Sequence, residues 1–170
     1  MESLVEKDKK RYRDLKEMPK FQIFMRKGQE AKNLIVKFLY KCLYAYYRNK
    51  SFIEIPMDIN IGGGLYIGHP YCITINPQVS IGKNCNIHKG VTIGQENRGS
   101  RKGVPVVGNE VWIGINATLV GAIHIGNDVL IAPNSYVNCD VPDHSIVLGN
   151  PCIIKRKKNA TEGYINNKIE

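Results

Sequence analysis

Four histidines, His69, His88, His124 and His144, are the residues of this sequence best suited to acid–base chemistry near neutral pH. An imidazole titrates close to neutrality, so it can take the proton of an attacking hydroxyl group. The histidines lack metal-ligand spacing, and the five cysteines are odd in number and form no CxxC pair. The sequence therefore predicts no metal site. It also predicts cysteines that act as small buried hydrophobic residues.

Positive charge is the second chemical feature of the chain. The formal net charge is +9, and the basic residues cluster in Lys7–Arg13, Arg98–Lys102 and Lys155–Lys158. Such clusters suit nucleic acid, an anionic membrane surface or a phosphorylated small molecule, but they are also typical of solvated surface. They are not interleaved with exposed aromatic residues as a single-strand nucleic-acid groove would be. We therefore expect no nucleic-acid partner.

The elements that must position these residues follow from a six-residue repeat. An aliphatic residue recurs every six positions from Ile55 to Val137, with a two-residue adjustment at Ile73 and a break over 95–106. Period six matches neither the helical period of about 3.6 nor the strand period of about 2. It fits short strands joined by tight corners, with the aliphatic residue pointing into a triangular coil. The sequence therefore predicts an all-β core, a parallel β-helix of hexapeptide repeats.

The segments outside the repeat are predicted as appendages. An apolar stripe over 34–47 indicates a helix, and a charged helix is expected over Leu4–Lys16, ending before Pro19. We expect these helices to pack on the first coil or on neighbouring subunits. The C-terminal residues lack a pattern and are expected to form a loose tail. The predicted division is 1–50 helical region, 51–156 β-helix with an extended loop over 95–106, and 157–170 tail.

No segment of the sequence is a candidate for export or membrane insertion. The densest apolar run, Leu34–Tyr47, has 14 residues and is interrupted by Lys37 and Lys41, whereas a spanning helix needs about 20 apolar residues. The chain opens on a charged stretch rather than a signal peptide. A cytoplasmic location is therefore expected.

Four segments carry a resemblance to known enzymes: Gly64–His69, Asn86–Gly94, Val111–Gly114 and Gly149–Pro151. They resemble serine acetyltransferases and, more closely, bacterial polysaccharide O-acetyltransferases of the colanic acid acetyltransferase type. The similarity covers about residues 53–156. It implies a left-handed β-helix and transfer of an acetyl group from acetyl-CoA to a hydroxyl. A homotrimer with active sites between subunits is also predicted, because flat prism walls and a projecting loop favour closed cyclic contacts.

The resemblance also implies catalytic residues. It places the general base on His69 and the carboxylate that orients it on Glu54, which lies 15 positions earlier. His88 is the competing base and is ranked second, as an acceptor contact or a structural residue, while His124 and His144 are interpreted as structural. His69 as a polar corner residue, and Glu54 as a solvated carboxylate, stay open as alternatives.

Binding residues follow by the same resemblance. The pantetheine arm of CoA is expected near five residues of successive coils, and two cations after the last coil would bind its phosphates. A loop over 95–105 would cover the acceptor, with two arginines as contacts. The predicted CoA residues are Gly94, Gly114, Ile115, Ala132, Pro133, Lys155 and Arg156, and the arginines are Arg98 and Arg101.

Two departures from the serine enzymes bear on the acceptor. Gly68 stands where those enzymes carry aspartate, and Gly103-Val104 stands where an Arg-His pair precedes a proline. The preferred interpretation is therefore O-acetylation of a glycan or glycan precursor in polysaccharide biosynthesis, with membrane proximity if the acceptor is lipid-linked. Serine O-acetylation in cysteine biosynthesis is the alternative. A β-helix scaffold without catalysis and a polyanion-binding protein are further alternatives.

Overall fold

The computed structural model describes residues 2–13 and 17–170, in which short helices precede a long series of short strands. The helices are α1 (Leu4–Lys9), α2 (Lys20–Glu30) and α3 (Leu34–Asn49). The strands are β1 (Asn60–Ile61), β2 (Tyr66–Gly68), β3 (Thr74–Ile75), β4 (Ser80–Ile81), β5 (Asn86–His88), β6 (Thr92–Gly94), β7 (Val106–Val107), β8 (Val111–Ile113), β9 (Thr118–Val120), β10 (His124–Ile125), β11 (Val129–Ile131), β12 (Tyr136–Val137), β13 (Ser145–Leu148) and β14 (Ile153–Arg156).

Each circuit of the chain adds one strand to each of three sheets. The first sheet has the order β1-β4-β7-β10, the second β2-β5-β8-β11-β13-β14, and the third β3-β6-β9-β12. The strands pair in parallel, except for the antiparallel pair of β13 and β14. The repeated aliphatic residues are buried inside, as with Ile87, Ile93 and Ile113. The predicted parallel β-helix with an all-β core is confirmed.

The two-residue adjustment in the repeat lies in the corner between β2 and β3. Five residues separate Gly68 from Thr74 in this coil, whereas three separate His88 from Thr92 in the next coil, although the flanking residues are paired. The corner between β2 and β3 is therefore two residues longer than the corner between β5 and β6 in the next coil. His69 is the first residue of this widened corner.

Side chains of α1 and α2 close the open end of the β-helix. Arg26 donates to the carbonyls of Ile61 (2.7 Å) and Gly62 (2.6 Å), and its Nε lies 2.7 Å from the Asp8 carboxylate. Asp8 also accepts from the Leu65 amide at 2.9 Å. Both charged side chains are fully buried. They satisfy backbone groups that the first coil would otherwise leave unpaired at an exposed sheet edge.

The helical region differs from the sequence prediction in its details. A helix was expected over Leu4–Lys16, but α1 ends at Lys9, and residues 14–16 lie outside the described residues. Helix α2 was not predicted as a separate element. Helix α3 begins where Asn33 accepts hydrogen bonds from the amides of Ile35 and Val36.

The expectation of a loose C-terminal tail is wrong. Asp128 accepts from the amides of Ala160 (3.0 Å) and Thr161 (2.9 Å) and from the Thr161 hydroxyl (2.7 Å). Thr161 and Ile165 are buried. The segment is therefore docked along the corner between the first and second sheets, because buried polar groups must find partners.

The cysteine prediction is correct only in part. Cys85 is fully buried, whereas Cys42 and Cys72 are exposed, and Cys139 and Cys152 are half-buried. Cys42 lies on the exposed side of α3, and Cys72 lies in the widened corner with a φ of 52°. Neither cysteine occupies one of the inward-facing positions of the six-residue repeat.

Candidate functional site

His69 lies exposed on the corner between the second and third sheets. Its backbone is in the left-handed region, with a φ of 53°. Residues other than glycine adopt this backbone conformation at a cost in free energy, and histidine is one of the residue types found in it more often than most. The corner therefore presents an imidazole to solvent between the outer faces of two sheets.

Glu54 lies on the third-sheet side of this corner. Its amide donates to the Ile73 carbonyl at 2.7 Å, and its carboxylate accepts from the Thr74 hydroxyl at 3.4 Å. Within the described part of the chain, this threonine rather than His69 is the side-chain partner of Glu54. The structure thus places Glu54 beside the residues that follow His69, without the predicted hydrogen bond between them.

A cleft of about 500 Å³ brings Glu54 together with Gly94, one of the predicted CoA residues. Arg48 and Thr74 also line this cleft. The Nε atom of Arg48 is buried and has no hydrogen-bond partner among the described residues. A carboxylate and a guanidinium thus face one cleft, an arrangement suited to a ligand that carries both charges.

His88 lies on the other side of the corner, on the outer face of the second sheet. Its Nδ1 is 2.9 Å from the carbonyl oxygen of Ile113, and its ring lies 4.6 Å from that of Trp112. Because a carbonyl oxygen only accepts, Nδ1 must carry the hydrogen, which leaves Nε2 of the neutral ring as an acceptor. Burial lowers the pKa of His88, and the nearby His69 lowers this pKa further.

Gly68 provides the space that His88 occupies. A Cβ atom at position 68 would lie 2.6 Å from Cδ2 and 2.8 Å from Nε2 of His88. An aspartate in this position, as in the serine enzymes, would therefore collide with the imidazole. The glycine at position 68 is therefore what allows the His88 ring to occupy this space.

Sequence reasoning missed the other residues around His88. A cavity of about 390 Å³ is lined by His88 together with Tyr66, Asn86, Trp112 and Tyr164. Tyr66 pairs with Asn86, and Asn86 pairs with Trp112, along the second sheet. Each of these three residues directly precedes a buried aliphatic residue of the repeat. That position points outward, so the repeat itself contained the signal.

The structure does not bring all of the predicted CoA residues together in one site. The amide of Asn134 donates to the Ile115 carbonyl at 2.9 Å, which puts Ile115 beside Ala132 and Pro133 on stacked corners. A Cβ at Gly114 would lie 2.6 Å from the Pro133 nitrogen, so this glycine is required for the packing of two coils. At Gly94 the nearest atom would be Cγ1 of Val120 at 3.6 Å, an ordinary van der Waals contact, so the packing of the coils does not require a glycine there.

The two cations after the last coil are not clustered with these corner residues. Arg156 pairs with Ser145 at the beginning of β13, whereas the Ala132 amide donates to Val147 near its end. Lys155 pairs with Ile146, the residue directly before Val147, so it lies closer to Ala132 along the strand than Arg156 does. Both cations are exposed, and β13 lies between their strand and β11.

The loop over 95–105 leaves the opposite end of the third sheet from His69. Arg98 is exposed, and Arg101 donates to Glu96 at 3.2 Å within the loop. Glu96 and Gly103 form an antiparallel bridge that holds the loop closed on itself. Within one chain, therefore, the structure does not bring these arginines to His69. Among the residues that the structure describes, there is also no group of three His, Cys, Asp or Glu side chains placed to hold a metal ion.

Comparison with known proteins points to acetyltransferases. The family described as "Bacterial transferase hexapeptide (six repeats)" matches residues 105–139. A serine acetyltransferase of Helicobacter pylori (strain ATCC 700392 / 26695) is 35% identical over 113 residues, covering 66% of this chain and 66% of that protein. Soybean serine acetyltransferase complexed with serine is similar in structure, with a TM-score of 0.67 and 26% identity over 79% of this chain and 56% of that chain. A serine acetyltransferase in complex with CoA gives a TM-score of 0.66 and 27% identity, over 79% of this chain and 55% of that chain.

The chain thus spans just under two thirds of the length of the Helicobacter protein and about half of the length of the two solved chains. The family match identifies residues 105–139 as hexapeptide repeats of the transferase type. The relatives named above are serine acetyltransferases, so they favour serine O-acetylation over the preferred glycan interpretation. The closer resemblance to polysaccharide O-acetyltransferases finds no support in them.

Proposed function

We propose that this protein is an acetyl-CoA-dependent O-acetyltransferase in which His69 is the general base. The observation that carries the proposal is the widened corner. It presents His69 in a left-handed conformation between a cleft lined by Glu54 and Gly94 and a cavity lined by His88. Similarity to serine acetyltransferases, one of them in complex with CoA, supports the same chemistry.

In the proposed reaction, His69 takes the proton of the acceptor hydroxyl as its oxygen attacks the thioester carbonyl carbon. Collapse of the tetrahedral intermediate breaks the carbon–sulfur bond, and the proton held on His69 passes to the departing CoA thiolate. The products are an acetyl ester and free CoA. His88 would border the attacking hydroxyl, but its Nε2 can only accept because Nδ1 is committed to the Ile113 carbonyl, so the one hydrogen of that hydroxyl goes to His69.

For the acceptor, we propose L-serine. An amino acid zwitterion needs a partner for each charge, because a desolvated charge without one is costly. Arg48 and Glu54 line one cleft, and the Arg48 Nε atom has no partner within the described residues. These two side chains offer one positive and one negative charge. From the sequence alone no such charges were expected, because Gly68 and Val104 stand where the serine enzymes have charged residues.

A glycan hydroxyl is the second candidate acceptor, favoured by the contact between Gly68 and His88. This contact puts a neutral imidazole where the serine enzymes carry a carboxylate. The cavity around His88 also contains Tyr66, Asn86 and Trp112, together with the charged residues Arg11, Arg13 and Glu17. Its aromatic and amide side chains can stack against and hydrogen-bond a sugar.

The active assembly is proposed to be a homotrimer. The loop with Arg98 and Arg101 leaves the third sheet at the end away from His69, so it can cover this corner only in a neighbouring subunit. Three-fold closure would place each loop over the next subunit's site. The exposed cations Lys155 and Arg156 are proposed to bind CoA phosphates.

The test of the base is His69→Ala, measured by release of free CoA thiol. Loss of a general base should lower kcat by about 10²–10⁴-fold while CoA binding persists. His124→Ala is the matched control, because the side chain of His124 is 76% exposed and lies on the first sheet. Undiminished turnover in His69→Ala with its acceptor would contradict the proposal.

The test of the acceptor compares L-serine with a panel of glycans. With L-serine as the native acceptor, we expect kcat/KM of at least about 10⁴ M⁻¹s⁻¹. Arg48→Met should then raise KM for serine by about tenfold or more, because it removes one charged partner. Turnover of a glycan with no turnover of serine would reverse the assignment and leave the role of His69 intact.

A further inference from the structure

Helix α3 presents an apolar face to solvent. Tyr44 is its buried residue, and it donates to the Ile55 carbonyl on the side that packs against the protein. On the opposite side Ile35 is 73% exposed, Phe38 64% and Leu39 56%. Further exposed residues of the same helix are Leu34, Val36, Cys42, Leu43 and Tyr46. An exposed stripe of this kind in a helix whose other side is already packed marks an interaction surface.

The helix that carries this face has basic residues but no acidic ones. Between Glu30 and Glu54 the sequence contains no acidic residue. The basic residues of that interval are Lys32, Lys37, Lys41, Arg48 and Lys50. Lys37 is paired with Asp58 at 3.1 Å, while Lys32 and Lys41 are exposed. A partner that covers the apolar face must therefore tolerate or attract positive charge.

We propose that the apolar face of α3 binds to the interface of an anionic lipid bilayer. Apolar side chains enter the boundary between headgroups and acyl chains, and flanking lysines remain beside anionic headgroups. A second copy of the chain fits less well, because contact between two such faces would bring Lys32 and Lys41 of one copy near those of the other. In the described residues no helix is long and apolar enough to cross a membrane, so the helix lies in the plane of the surface.

The surface adjoins the candidate active site along the chain. Helix α3 ends at Asn49, five positions before Glu54 in the first coil. Exposed Phe52 lies between them, and its ring is 5.5 Å from that of Tyr71 in the widened corner. Binding through α3 would therefore hold this end of the β-helix near the bilayer.

The experiment is co-sedimentation of the full chain with vesicles. Vesicles of phosphatidylcholine with about 30% phosphatidylserine are compared with pure phosphatidylcholine vesicles at low and high salt. We expect binding to the anionic vesicles that is at least about tenfold tighter and weakens with salt. Phe38→Ser/Leu39→Ser and Lys32→Glu/Lys41→Glu should each abolish it. Ile153→Ser is the control, because Ile153 is 59% exposed on β14, away from the helix.

Two results would overturn the proposal. One is the absence of binding to anionic vesicles, or equal binding to both vesicle types. The other is a change of mass by light scattering in Phe38→Ser/Leu39→Ser with no change in vesicle binding, which would assign the face to a contact between copies. Thiol release by the variants without lipid checks that they remain folded, and it keeps this test separate from the test of His69.

Discussion

Substitution of Gly68 by alanine is the sharpest probe of the site, because it adds one atom at a known contact. The new Cβ would lie 2.6 Å from Cδ2 and 2.8 Å from Nε2 of His88. Gly68 lies in strand β2 and is not a residue with positive φ, so alanine fits its backbone. The substitution therefore acts on the imidazole rather than on the fold of the strand.

The size of the effect follows from what holds His88 in place. The ring must move by several tenths of an ångström, which strains or breaks its 2.9 Å hydrogen bond to the Ile113 carbonyl. A net hydrogen bond contributes about 1 kcal/mol, and a buried acceptor left unpaired costs about 1–3 kcal/mol. A displacement near 1 Å at a reacting group can cost about 10²-fold in rate. We expect Gly68→Ala to lower kcat/KM by about 10–100-fold and the free energy of unfolding by about 1–3 kcal/mol.

The assay is a double-mutant cycle with His88→Ala, measured by thiol release and by urea denaturation. Once the imidazole is removed, the tightest remaining neighbour of the alanine at position 68 is Cε1 of Tyr66 at 3.3 Å, which needs to move only slightly. Gly68→Ala should therefore cost less than about twofold in the His88→Ala background. An equal cost in both backgrounds would refute the contact as the cause. His124→Ala in place of His88→Ala serves as the uncoupled control.

Two further substitutions test the ends of the β-helix. Arg26→Met should lower the free energy of unfolding by about 3–5 kcal/mol in urea, because it leaves the buried Asp8 carboxylate without its charged partner; an unchanged midpoint would contradict this role. Burial alone would raise the pKa of Asp128, but hydrogen bonds from His144 and Thr161 outweigh it and lower the pKa to about 2. The stabilisation is therefore present above the unfolded pKa of about 4 and is lost as the pH falls toward 2. Asp128→Asn should lower the free energy of unfolding by about 2 kcal/mol at pH 7, and by progressively less between pH 4 and 2, as measured by thermal denaturation. A loss of stability that does not depend on pH would show that the charge of the carboxylate is not its source.

The β-helix was predictable from sequence because every wall of every coil buries an aliphatic residue at the same place. The six-residue period of the aliphatic residues therefore follows directly from the geometry of the coil. The same repeat revealed an adjustment near Ile73, but only strand pairing shows that the two added residues lie beside His69. The contact of Gly68 with His88 joins successive coils, and no local pattern specifies it. The docked C-terminal segment escaped prediction for a similar reason, since hydrogen bonds to one residue, Asp128, help to hold it and no repeated pattern marks them.

The acceptor shows how a departure from a family pattern can be misread when only the sequence is known. Gly68 and Val104 lack the charges that the serine enzymes use, and from this loss a neutral acceptor was inferred. In the structure, Arg48 and Glu54 face one cleft on the third sheet, on the other side of His69 from His88. For a zwitterionic acceptor, as proposed above, the charges would come from the end of helix α3 and from the first coil rather than from the corner and the loop. If serine is the acceptor, its charged groups bind on the third-sheet side, while His88 borders the reacting hydroxyl without taking its one hydrogen. Arg48→Met should then affect KM for serine, whereas His88→Ala should act mainly on kcat, because the two side chains contact different parts of one small molecule.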